Sequence, residues 1–338
     1  YIIDVHRGKV EAERSPIKLA LYISFFPQLV SGPIVKAGEF LPQLCEDRNV
    51  SLVNLEKGVQ IFLFGLFKKV VIADNIAVFV NAVYSNPVQF GGGTVLLAVV
   101  GYSIQLYCDF SGYSDMAVGC ARGLGYELPR NFNMPYLSRS VKEFWKRWHI
   151  SLSTWLMEYL YIPLGGNRKG KVRNYVNLML TMVIGGLWHG AAWKFVFWGA
   201  MHGAGLAVHK ASKPYLGRVA DTWPVKALSW LLTMAVVAAL WVFFRADSWA
   251  DSVTVLASVF RDFSPAYIPA FAAARTLWLI LMLVIIVAHA LPSSFWVRAQ
   301  KWFVGTPWLV KLLVFVVVVQ LVLELRSESV TPFIYFQF

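Results

Sequence analysis

One histidine stands where a titratable ring is hardest to place. His189 lies inside NLMLTMVIGGLWHGAAWKFVFWGAMH (177–202), where the nearest charge before it is Arg173 and the nearest after it is Lys194. An ionisable side chain so deep in an apolar run is costly, and it faces a cavity, a partner or a reaction path. Gly185, Gly186 and Gly190 thin the packing around it and let a ligand or a second helix approach the backbone. The nearest histidine upstream is His149, in KEFWKRWHISLSTW. Imidazole titrates near neutrality, so a ring held in this way can take or give a proton. Each ring also has a plainer reading. It can donate to a carbonyl one turn back or pack against aromatic rings, and the residues alone leave both readings open.

Other polar groups are weaker candidates. His202 follows His189 by 13 residues. One continuous helix would hold them roughly 20 Å apart, so they share a site only if the chain breaks near Gly190. His202 is therefore read first as structural. If Val141 to Leu160 is a single amphipathic helix, His149 presents its ring beside Ser153 at i+4. Arg168 and Lys169 lie in the basic, glycine-rich loop YIPLGGNRKGKVRNYVN. Such a loop can attract an acidic carrier protein or the phosphates of a thioester cofactor, or it can simply fix topology. It has no P-loop pattern. Lys68 and Lys69 either touch an anionic ligand or snorkel to lipid head groups, and the second reading is favoured. Asp109 and Asp115 either line a pathway or belong to a satisfied internal network. Cys45, Cys108 and Cys120 lack metal or disulfide spacing, and no metal set is expected.

The elements that must position these groups follow from composition. Hydrophobic residues make up 57% of the 338, and 24 Phe, 14 Trp and 14 Tyr are among the chain's aromatics. Only 15% are charged, against about 25% in a soluble domain. This much apolar surface needs lipid, so the chain reads as an all-α polytopic membrane protein. Its net charge of +12 fits basic cytoplasmic loops against anionic lipid, not nucleic acid. Conventional spans are expected over 225–244, 276–291 and 307–323, with others beginning at Gly91 and Ala192. Short interfacial helices suit 248–275. Pro27, Pro33 and Pro42 exclude a plain span over 19–44 and favour a re-entrant or interfacial segment. The run 54–81 is one buried helix or two shorter pieces. The opening 1–16 reads as a charged loop.

Several motifs carry a resemblance. SFFPQLVSGPIVKAGEFLPQL (24–44), YCDFSGYSDMAVG (107–119), LPRNFNMPYLSRSVKEFWKRWHISLSTW (128–155), YIPLGGNRKG (161–170), GGLWHGAAWKFVFWGAMHG (185–203) and the closing PFIYFQF resemble the membrane-bound O-acyltransferase superfamily. The similarity is to its bacterial branch, typified by alginate O-acetylation and teichoic-acid D-alanylation membrane proteins. It implies a single domain over 1–338, a ring of transmembrane and re-entrant helices around a central tunnel, without the family's first amino-terminal helices. It also implies catalytic roles for His189 and His149 in an inner-membrane O-acetyltransferase. The donor would be acetyl-CoA or another cytoplasmic thioester, with no tightly bound cofactor, and Arg168 and Lys169 are candidates for its phosphates. The acceptor would be an extracytoplasmic polysaccharide, reached directly or through a periplasmic SGNH-type acetyltransferase. Two rival readings are a proton-coupled transporter and a non-catalytic anchor of a glycan-modifying complex.

Overall fold

The structure is a computed structural model that describes residues 1–46, 50–216, 221–264, 266, 268–326 and 332–333. Most of the closing PFIYFQF lies outside the described residues. The described elements are helical. The amino-terminal part holds only short pieces: α1 (Ile2–His6), α2 (Pro16–Ser24) and α3 (Ala37–Phe40), with 3-10 turns at Phe26–Gln28 and Leu41–Leu44. The prolines thus prevent a plain span, as their positions predict. The opening residues are not simply loop, because α1 buries Asp4, whose carboxylate accepts from the Tyr159 hydroxyl.

Next come α4 (Leu52–Leu66), a π-helical turn (Phe67–Ala73), α5 (Asp74–Ser85) and the long α6 (Gly92–Gly123). Glycines let α4 and α6 cross closely in antiparallel fashion. A Cβ added at Gly58 would lie 2.6 Å from the Gly119 carbonyl oxygen, and one at Gly65 would lie 2.5 Å from that of Gly112. This is the small-residue contact by which membrane helices approach each other.

The π-turn turns both lysines inward, and this corrects the expectation that they snorkel. Lys68 Nζ donates to Ser111 Oγ at 2.8 Å and pairs with Asp115 Oδ2 at 2.7 Å. Lys69 Nζ meets Asp74 Oδ1 and Asp109 Oδ1, each at 2.7 Å. Widening the helix by one residue places consecutive lysines against the acidic stretch of α6, where water cannot reach them and carboxylates must. Asp109 and Asp115 therefore belong to an internal network. Lys69→Met removes the ammonium shared by two buried carboxylates and is expected to cost about 3–5 kcal/mol. Thermal unfolding of the detergent-solubilised chain measures this, and adding Asp74→Asn and Asp109→Asn should recover part of the loss.

Beyond α6 lie α7 (Val141–Trp145), α8 (Ile150–Leu156), a second π-turn (Met157–Tyr161), α9 (Lys171–His189) and α10 (Trp193–Leu216). The remaining helices are α11 (Trp223–Arg245), α12 (Trp249–Ser258), α13 (Ile268–Ala274), α14 (Thr276–Ala290), α15 (Ser293–Gly305) and α16 (Trp308–Leu325). Among the described residues α6, α11 and α16 are long and apolar enough to cross a membrane, and α13 with α14 form a pair bent by 89°. Only 6% of the apolar window of α16 is buried, so its surface suits lipid. The chain is a polytopic α-helical membrane protein. Its core is aromatic: Trp148, Trp198, Trp241, Tyr102, Phe144 and Phe244 are almost wholly enclosed.

Candidate active site

The break near Gly190 that a shared site for His189 and His202 requires is present. Helix α9 ends on His189, Gly190 is extended, and α10 starts at Trp193. The two helices fold back on each other as a tight hairpin. A Cβ on Gly186 would sit 2.2 Å from the Phe195 carbonyl oxygen, and one on Gly199 would sit 2.3 Å from that of Met182. What approaches the thinned backbone is thus a second helix. His189 rides at the tip of the hairpin, partly exposed, against Trp188, Trp198 and Phe244 with ring centroids at 4.9, 5.3 and 5.2 Å.

His149 reaches the same region from a different local structure. The expected single helix over 141–160 is interrupted, because α7 stops at Trp145 and α8 starts at Ile150. His149 lies between them in the left-handed conformation (φ 43°, ψ 57°). Its ring therefore does not sit along a helix face beside Ser153, whose hydroxyl instead donates to the Trp148 carbonyl. A non-glycine residue persists in this conformation only where its surroundings over-determine it. Here the segment 131–133 does so. Ile150 N–H donates to the Asn131 carbonyl at 2.9 Å, and Asn133 N–H to the Arg147 carbonyl at 2.8 Å.

Asn131 also sets the tautomer of His149. Its Oδ1 accepts from the Ser151 backbone N–H (3.3 Å) and from Ser151 Oγ (2.9 Å), and it lies 3.1 Å from His149 Nδ1. A backbone N–H can only donate, so the Asn131 atom is the carbonyl oxygen, and Nδ1 must supply the proton. Nε2 of the neutral ring is then left with its lone pair. Asn131 Nδ2 in turn donates to Ser114 Oγ at 3.1 Å. Phe110 stands edge-on to the imidazole, with centroids 4.8 Å apart.

His189 and His202 both pack on Trp198, at 5.3 and 4.7 Å, and His149 joins the same aromatic core through Phe110 and Trp148. His202 is fully buried, stacks on Phe144 at 6.1 Å, and accepts from the Trp145 indole N–H at 3.2 Å. The hairpin therefore brings His202 into the neighbourhood of His189, which a straight helix would have prevented. Asn131, Trp145 and Trp198 were not singled out in the sequence. The only signal was their place inside two of the motifs, since none is titratable.

A cavity of about 530 Å³ opens beside this cluster, lined by Lys142, Trp145, Ser153, Tyr161, His209 and Lys210 among others. Trp145 lines the cavity and packs on Trp198 (5.7 Å) and His202 (5.2 Å), which do not line it. Arg168 and Lys169 are exposed and do not line the cavity, although their neighbour Asn167 does. The loop that carries them bends through left-handed Gly165, Gly166 and Gly170. Among the described residues no three His, Cys, Asp or Glu side chains converge as a metal site.

Similarity to known proteins shows the family. The profile of the MBOAT, membrane-bound O-acyltransferase family, matches residues 12–248. The probable alginate O-acetylase AlgI of Pseudomonas putida is 37% identical over 358 residues, covering 100% of this chain and 72% of that protein. The peptidoglycan O-acetyltransferase of Helicobacter pylori is 46% identical over 239 residues, 70% of this chain and 45% of its own length. The teichoic acid D-alanyltransferase of Bacillus subtilis is 30% identical over 214 residues, 60% of this chain and 53% of its own. The chain thus spans about half the length of several curated relatives. With two thirds of its residues inside the profile and both histidines among them, this chain belongs to the membrane-bound O-acyltransferase family.

Proposed function

We propose that this chain is the acyl-transferring part of an inner-membrane O-acetyltransferase. It would move an acetyl group from a cytoplasmic thioester, acetyl-CoA or an equivalent, toward hydroxyls of an extracytoplasmic polysaccharide. The observation that carries the reading is that His149 and His189 both stand at the ends of their helices against one aromatic core, and that Trp145 of this core lines a cavity that also holds Lys142, His209 and Lys210. Neutral His189 accepts the proton of an attacking hydroxyl as its oxygen bonds to the acyl carbon, and the thiol departs. His149, with its Nε2 lone pair fixed by Asn131, orients the donor or relays that proton.

Lys142, His209 and Lys210 at the cavity, with Arg168 and Lys169 on the adjoining loop, offer positive charge to the donor's phosphates. A ring of spanning and re-entrant helices around a through-passage would let a thioester on one face serve a glycan on the other. The named activities of the alginate and peptidoglycan relatives favour a glycan acceptor, approached directly or through a periplasmic SGNH-type acetyltransferase. Membranes bearing the full chain should transfer label from radiolabelled acetyl-CoA to glycan or to a partner protein. Uptake of acetate into sealed vesicles without any acetylated product would favour the transporter reading instead.

A further inference from the structure

We propose that Trp198 and His202 form a pair of N–H donors that holds the carbonyl oxygen of an acyl thioester; this rests on the acyl-transfer reading above. His202 Nδ1 accepts the Trp145 indole hydrogen, so the neutral ring carries its own proton on Nε2. That Nε2–H is buried and has no hydrogen-bond partner among the described residues. The indole N–H of Trp198 is likewise buried and without a partner there. Each orphaned donor costs the fold about 1–3 kcal/mol, and a histidine or tryptophan kept only for packing could be a phenylalanine at no such cost.

Position separates these two from other unpartnered groups in the core. Their rings touch, with centroids at 4.7 Å, and Trp198 packs edge-on to His189 at 5.3 Å. Trp145, one wall of the cavity, lies against both. A thioester passing that wall would meet two N–H groups next to the base. When the hydroxyl oxygen bonds to the acyl carbon, the C=O pair moves onto oxygen and the hydroxyl proton goes to His189. The two donors stabilise that negative oxygen. The C=O then re-forms, the C–S bond breaks, and the thiolate leaves and takes up the proton. Fixed donors aimed at a developing oxyanion are worth roughly 10²–10³-fold each in rate.

The test is Trp198→Phe, which keeps an aromatic ring at this place but removes the N–H together with the rest of the indole's five-membered ring. With radiolabelled acetyl-CoA and native membranes of the full chain, kcat should fall about 100-fold with KM little changed. The thermal midpoint should change little, because the packing lost with the smaller ring is offset by removal of a buried orphan. His202→Gln can still accept from Trp145 and donate outward, so it should retain more activity than His202→Leu. An unchanged kcat in Trp198→Phe overturns the proposal, as does a parallel loss of kcat and thermal stability. If His189→Ala abolishes transfer while Trp198→Phe does not, the donor pair falls and the acyl-transfer reading stands. If His189→Ala transfers normally, the acyl-transfer reading itself falls.

Discussion

His189→Ala lowers acetyl transfer by about 10²–10⁴-fold, the range a positioned general base supplies. The structure gives reason to expect that loss without collapse of the fold. His189 is the last residue of α9, partly exposed at the hairpin tip, and the hairpin is held by the close contacts at Gly186 and Gly199, which the substitution leaves alone. Alanine is also a good helix former at that position. The variant should therefore insert, unfold near the parent temperature and keep its donor affinity while kcat falls. Single-turnover transfer from radiolabelled acetyl-CoA, run beside a thermal unfolding curve, separates chemistry from folding. Preserved acetylation would favour a non-catalytic anchor. Accumulation of a transported substrate would favour the carrier.

Asn131→Leu is expected to cost at least about 10²-fold through the imidazole it no longer orients. A mis-set histidine tautomer costs about 10⁴ in the serine-protease triad, which bounds the effect from above. Leucine fills a similar volume but leaves His149 Nδ1, the Ser151 N–H and Ser151 Oγ without their shared acceptor. Asn131→Asp restores the acceptor and adds a charge. It should keep most of the activity, and it should move the acid limb of the pH–rate profile upward, because an adjacent carboxylate favours the imidazolium. A purely structural Asn131 would leave the shape of that profile untouched in any variant that still folds. An unshifted limb in Asn131→Asp, together with full activity in Asn131→Leu, would remove Asn131 from the site.

Much of this protein is legible in one dimension because the governing energies are local. A bilayer demands long apolar helices, so composition and run length locate α6, α11, α14 and α16, but not the 89° bend between α13 and α14. Proline removes backbone donors, so the broken segment over 19–44 follows from its three prolines. His189 stands out because a titratable ring in an apolar stretch is expensive wherever that stretch packs, whereas His149, two residues after Arg147, stands out through the motif that carries the family resemblance. The expectation for Lys68 and Lys69 failed for a different reason. Snorkelling is the cheaper outcome for a lone helix, and only the π-turn and the acidic stretch of α6 make burial cheaper still.

The assembly of the candidate site belongs to the tertiary structure. Helical periodicity gives no warning that the chain turns left-handed at His149, because the bonds from 131–133 that impose this turn come from a separate segment. Nor does it reveal that His202 accepts from an indole 57 positions away, leaving its other nitrogen as a donor. The sequence by itself determined that the chain is a helical membrane protein carrying one costly histidine. Which nitrogen bears a proton, which lysine is buried and which rings meet were decided by packing, since hydrogen bonds between distant segments exist only once the helices are in place.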